Sequence, residues 1–171
     1  MYQIGDLVIY GSEGVCRVKE IGVPDIPDIN RERLYYFLEP LYRDGVIYTP
    51  TNTVVFMRPA VTRSEAEALI AQIPSIQAQQ CDEKNLRLLT EQYDKYLDSH
   101  SCEDLICLIK SVHQKKEMAI AQSKKPGAVD ERYMKRAEEL LHGELAAALG
   151  IPKEQMIECV RGQVNQPANA G

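Results

Sequence analysis

Two histidines and two cysteines, His100, Cys102, Cys107 and His113, crowd one short stretch of the chain. Thiolates and imidazoles that converge on one point are what zinc requires. Cys102 and Cys107 are five positions apart, which on an α-helix sets them about 140° apart around the axis. That spacing does not chelate a single ion, so no metal is assigned. The thiols read instead as small buried apolar groups with a surface histidine beside them. For catalysis, the sequence offers no Gly-rich phosphate loop closing on Lys-Ser or Lys-Thr, no Gly-x-Ser-x-Gly and no His-Glu-x-x-His. Its histidines, His100, His113 and His142, are spread, and its acidic residues fall mostly where a solvated helix face is expected. The expectation is a protein that is not an enzyme and takes no cofactor.

Charge offers a second chemistry. A net charge of -5 argues against coating nucleic acid by bulk attraction, so any contact needs a local basic patch. Lys115 and Lys116 close one helical pattern, Lys124 and Lys125 occupy the break after it, and Arg132, Lys135 and Arg136 share a face of the next. Arg132 and Arg136 are four apart and repel on a helix, which an anion such as DNA phosphate would relieve. Glu131, Glu138 and Glu139 are the local alternative. A third candidate is Val46-Ile47-Tyr48, just after Asp44-Gly45. Three consecutive apolar or aromatic residues break the alternation of a half-exposed strand. Either both faces are covered internally, or the strand is an edge that accepts a partner strand.

The elements that must position these groups change type near residue 60. Residues 1–58 are rich in Val, Ile, Tyr and Gly in short alternating runs. Strands are expected at Ile4–Tyr10, Val15–Ile21, Leu34–Pro40, Val46–Thr49 and Val54–Arg58. Gly11–Gly14 turns between the first two, Gly22–Arg33 is a surface loop, and Asp44-Gly45 signals a tight two-residue hairpin. Five short strands suit a small bent antiparallel barrel of the SH3 or Tudor type. Helices are expected at Ser64–Ile73 (capped by Thr62 or Ser64 and stopped by Pro74), Asp82–Leu97, Ser101 to about Gln122, Asp130–Leu149 and Pro152 to about Val160. Ser101 with Asp104 resembles a capping box, and Gly150 suits a left-handed helix end. Ser75–Cys81 reads as a loop or linker. Leu105, Leu108, Ile109 and Val112 share one face, as do Met134, Ala137, Leu141, Leu145 and Ala148.

The fold class is therefore α+β. Residues 1–60 form the β domain, 61–81 a short helix and linker, 82–162 a helical domain and 163–171 a disordered tail. There is no signal-peptide pattern and no apolar run of the roughly 20 residues a membrane span needs. The five cysteines are odd in number and scattered, as reduced thiols in the cytoplasm would be.

The order of these pieces resembles a known family. Ile4-Gly5-Asp6-Leu7-Val8-Ile9-Tyr10 with Gly14 and Val18, the Tyr35–Leu38 strand, Pro50, Ile73–Ile76, Asp130–Ala146 and Leu149–Pro152 together resemble the CarD family of bacterial RNA polymerase-binding transcription regulators, in a Firmicute-like form. The resemblance covers about residues 1–161. It implies a Tudor-like domain shared with the transcription-repair coupling factor. That domain would dock on the polymerase β subunit by strand pairing, here through Gly45–Thr49 and chiefly Val46, Ile47 and Tyr48. It also implies a helical domain that contacts promoter DNA upstream of the melted region and modulates open-complex stability. Its contacts here would be Leu86, Arg87, Lys115, Lys116, Arg132, Lys135 and Arg136.

The chain departs from the family at three places. It has no tryptophan, where the family inserts one into the minor groove; that position falls near Gln80 or Leu86. Leu88-Leu89-Thr90-Glu91 replaces a basic run, and Tyr48 replaces an arginine used by some members. These departures carry an alternative: a polymerase-docked adaptor whose helical domain binds protein and not DNA.

Overall fold

The computed structural model describes residues 1–81 and 83–166 and divides the chain into two compact units, Met1–Val61 and Thr62–Gly171. Residues 62–81 belong to the second unit. Most of the expected disordered tail, residues 167–171, lies outside the described residues.

In the first unit, β1 (Leu7–Tyr10), β2 (Val15–Gly22), β3 (Tyr35–Pro40), β4 (Ile47–Pro50) and β5 (Met57–Pro59) form one antiparallel sheet in the order β4-β3-β2-β1-β5. Alternation sends Val8, Cys16, Val18, Tyr36 and Leu38 to one face, where Tyr10, Ile21, Ile47 and Met57 pack against them. Burial pushes the Cys16 thiol up to about 11, so it is an inert apolar filler.

Four expected strands start too early, β3 by one residue, since it begins at Tyr35 and not at Leu34. β1 begins at Leu7 because the Gln3 carbonyl accepts the Asp6 N–H at 3.1 Å in a tight turn, which leaves Ile4 exposed. Val54 is fully exposed in the turn before β5, so that strand begins at Met57. The β3–β4 connection is not a two-residue hairpin either. It runs from Leu41 to Val46, and β4 begins at Ile47. The Leu41 N–H bonds the Val15 carbonyl at 3.2 Å and Arg43 pairs with Glu13, so the chain follows β2 before it returns. Gly45 still takes a positive φ of 116°.

In the second unit, α1 (Arg63–Gln72) is followed by one 3-10 turn at Ile73–Ser75, then by α2 (Leu86–Asp98), α3 (Cys102–Ala121), α4 (Ala128–Leu149) and α5 (Lys153–Val164). Thr62 and Glu65 form a reciprocal capping box at α1. α2 starts four residues later than expected, because the Asn85 carboxamide accepts from the N–H groups of Arg87 and Leu88. The first expected residue of that helix, Asp82, lies outside the described residues. Ser101 caps α3 through the Asp104 N–H, but the return bond is missing: the Ser101 N–H goes to the Ser99 hydroxyl. Asp104 is one methylene shorter than the glutamate that closes such a box. Gly127 caps α4, Gly150 ends it with φ 68°, and α5 continues four residues past Val160.

The core of this unit carries more polarity than an amphipathic reading allows. Leu141–Ala146 of α4 are all buried, His142 and Glu144 included, so this half of α4 is enclosed all round. Glu144 accepts from the Cys102 thiol at 3.2 Å, beside the N-terminus of α3, where the helix dipole favours an anion. Lys110 reaches from α3 to the carbonyls of Ile73, Pro74 and Ile76, which ties the end of α1 to α3. Asp130, also expected on a solvated face, is buried and accepts from the Tyr93 hydroxyl of α2 and, at 3.1 Å, from Lys115 Nζ of α3. Its carboxylate folds over Gly127, where a Cβ would stand 2.7 Å from Oδ2. Tyr133 of α4 donates to Asp94 of α2 at 2.6 Å, and the Tyr93 and Tyr133 rings lie 5.2 Å apart.

Two predictions follow from these buried groups. Asp130→Ala strands the Tyr93 hydroxyl and the Lys115 ammonium and should cost about 3–5 kcal/mol in urea unfolding, against about 1.5–3 for Tyr93→Phe. Equal small losses would deny the network its role. His142 is 2% exposed and its Nε2 has no hydrogen-bond partner among the described residues. Burial first, then the charges of Arg161 and Lys153, lowers it from 6.5 to about 4. Its contribution to stability is therefore complete above pH 6.5 and lost as pH falls toward 4, by about 3 kcal/mol. Urea midpoints measured down this range should fall steeply for the native chain and less for His142→Leu.

Candidate functional site

The ladder of β3 with β4 pairs Leu38 with Ile47, Phe37 with Tyr48, Tyr36 with Thr49 and Tyr35 with Pro50. One step beyond, the Thr51 N–H donates to the Leu34 carbonyl at 3.0 Å. Antiparallel ladders alternate bonded and non-bonded pairs. Thr49 and Ile47 therefore bond to β3, while the N–H and C=O of Tyr48 face away from it. β4 is an end strand of the sheet, so these groups look out from an open edge. Pro50, the next residue in the same phase, has no N–H, and its carbonyl accepts from Thr53 at 3.0 Å. The edge thus offers pairing at Val46 and Tyr48 and closes at Pro50.

The side chains divide in the same rhythm. Ile47 packs on the sheet core, and the buried Thr49 hydroxyl accepts from the Tyr10 hydroxyl at 3.1 Å. Val46 and Tyr48, on the other face, are 38% and 39% exposed. The Tyr48 ring stands edge-on to Phe37 with centroids 5.0 Å apart, the close approach typical of a non-bonded pair. Of the three apolar residues, one belongs to the core and two form an exposed apolar face beside an unpaired backbone.

In the helical unit the expected DNA-contact residues are spread and mostly engaged. Lys115 is committed to the buried Asp130. Lys116 pairs with Glu131 at 3.2 Å and Arg136 with Glu139 at 3.8 Å. Arg132 lies over the Tyr133 ring, 5.5 Å from its centroid, and Lys135 is exposed. Lys115 and Lys116 both bind acids at the start of α4, so they adjoin Arg132. Leu86 and Arg87 stand apart at the start of α2, Leu86 62% exposed and Arg87 3.9 Å from Glu91 of its own helix.

The pairs differ in worth. Half-exposed ones such as Lys116–Glu131 contribute about 0–1 kcal/mol and can exchange an acid for a phosphate. Lys115 cannot leave without stranding a buried carboxylate. Asp130, Glu144 and Lys110 organise this unit. Sequence periodicity missed them because each sits at a polar position on a helix that packs on several sides.

The cysteines and histidines of the α3 region do not converge. Cys102 donates to Glu144, Cys107 to the Gln77 carbonyl at 3.4 Å, and His113 lies 3.2 Å from Glu117. Among the described residues no helix is long and apolar enough to cross a membrane.

Comparison with known proteins adds one finding. A family model described as the CarD-like/TRCF RID domain matches residues 2–61, which is the β unit almost to the residue. No curated protein matches the chain. The match makes this an RNA polymerase-interacting, transcription-related protein, built on a domain class that mediates protein interaction. The β unit of this chain is therefore a CarD-like/TRCF RID domain.

Proposed function

We propose that the chain is a non-enzymatic transcription regulator that docks on the β subunit of RNA polymerase through the open edge of β4. The observation that carries this reading is the Tyr48 backbone, unpaired among the described residues, beside the exposed Val46 and Tyr48 side chains. A partner strand gains main-chain hydrogen bonds there, and the apolar face gives it a preferred register. Pro50 limits the pairing to a short segment, which also keeps the edge from templating aggregation. The helical unit modulates promoter open-complex stability through upstream DNA by favouring one state of the complex. Its contacts are the exposed cations: Lys135, Arg132 and Arg87, with Lys116 and Arg136 available by exchange and Leu86 as an apolar contact.

A second reading has its own support. The engagement of Lys115, Lys116 and Arg136 by acids favours an adaptor whose helical unit binds protein while the β unit holds polymerase.

Two measurements test these readings. Tyr48→Pro deletes an outward N–H at an edge position that tolerates proline. It should weaken binding to an isolated β-subunit lobe at least about tenfold, a loss of about 1.4 kcal/mol, with the fold intact by circular dichroism. Undiminished binding would remove β4 as the docking strand. Ile47 is unsuitable as a probe, because it belongs to the core. If the helical unit meets several phosphates, the gain in promoter-complex lifetime should fall steeply between about 50 and 200 mM salt. No gain in lifetime at low salt would leave the adaptor reading.

A further inference from the structure

The segment before α2 does not run free. The Gln79 N–H donates to the Ser111 hydroxyl at 2.8 Å, and Cys81 is buried. Between this segment and the outer half of α3 lies a cleft of about 390 Å³. That size is within the range of small-molecule sites.

Three kinds of group meet in it. Cys81, Met118 and Ala119 supply apolar surface. Gln80 and Gln114 bring carboxamides, which both donate and accept hydrogen bonds. Lys84 and Lys124 stand at its margin, exposed and with no ion pair among the described residues. They differ in this from Arg87, Lys115, Lys116 and Arg136, each of which has an acid within 4 Å. The lining acid, Glu83, accepts from the Asn85 N–H at 3.0 Å, and the third lining cation, Lys115, is held by Asp130. Among the described lining residues Lys84 and Lys124 thus stand against the single carboxylate of Glu83, an excess of positive charge in a chain whose net charge is -5.

We propose that this cleft binds one unstacked nucleotide. The base lies on Met118 and Ala119, its edge meets the carboxamides of Gln80 and Gln114, and its flanking phosphates meet Lys84 and Lys124. Carboxamides can satisfy the donors and acceptors of a base edge in pairs, whereas a lipid tail would leave them unmatched. A base inside a duplex cannot enter, so the ligand is single-stranded DNA or a free nucleotide. The proposal rests on the nucleic-acid reading of the helical unit and deepens it.

The test uses the full chain and a fluorescein-labelled single-stranded DNA of about twelve nucleotides, followed by anisotropy at about 50 mM salt. Lys84→Glu with Lys124→Glu should lower affinity at least about tenfold, and Gln114→Ala several-fold. Lys95→Glu, an exposed residue outside the cleft's lining and outside the named DNA contacts, should change it less than about twofold. Thermal unfolding of each variant checks the fold. Competition by adenosine monophosphate assigns the site to free nucleotides, and its absence assigns it to the strand. No binding by the native chain, or equal binding by the double variant, overturns the proposal. Promoter-complex lifetime separates the two levels. A double variant that extends it as the native chain does removes the cleft alone, and a native chain that never extends it removes the nucleic-acid reading.

Discussion

A carboxylate buried where three helices meet governs the helical unit. Asp130 lies in the first turn of α4, accepts from Tyr93 of α2 and Lys115 of α3, and leaves no room for a side chain at Gly127. An isolated buried charge would cost several kcal/mol, so the carboxylate requires both donors in place. Burial and then Asp130 raise the Tyr93 hydroxyl far above its ordinary value, so it stays protonated and donates to the carboxylate. This requirement fixes where α2 and α3 pass the start of α4. It also decides which cations remain on the surface, since the arrangement consumes Lys115 and sets Lys116 beside Glu131.

The β unit works by the opposite device. Its core is a simple alternation of aliphatic and aromatic side chains, and its proposed docking depends on what is left unsatisfied at the sheet's end. β4 is short, ends in proline and turns the Tyr48 peptide outward. An edge of this kind is a hazard when long and flat, and a selective docking site when confined to a residue or two. Ile47 anchors the strand to the core, so the exposed face keeps its shape before any partner arrives.

The two units were legible in the sequence to different degrees. Caps and stops read well where one local interaction decides the boundary: Thr62 with Glu65, Pro74 and the left-handed Gly150. Boundaries failed where the deciding bond lay elsewhere in the chain. The β3–β4 loop lengthens because Leu41 still bonds to Val15. Asp130, Glu144 and Lys110 were read as solvent-facing or passed over. A polar residue on a helix is ordinarily exposed, and only packing from a second and third helix changes that.

The sequence by itself determined the α+β division near residue 60, most element types and the resemblance of the N-terminal stretch to the CarD family. These follow from periods of 2 and 3.6 residues and from local turn chemistry. Tertiary structure alone decided that β4 is an end strand, that Tyr48 and not Ile47 faces outward, and that Lys115 is structural while Lys84 and Lys124 line a cleft. Each of these depends on which residues far apart in the chain become neighbours, and a local pattern carries no record of them.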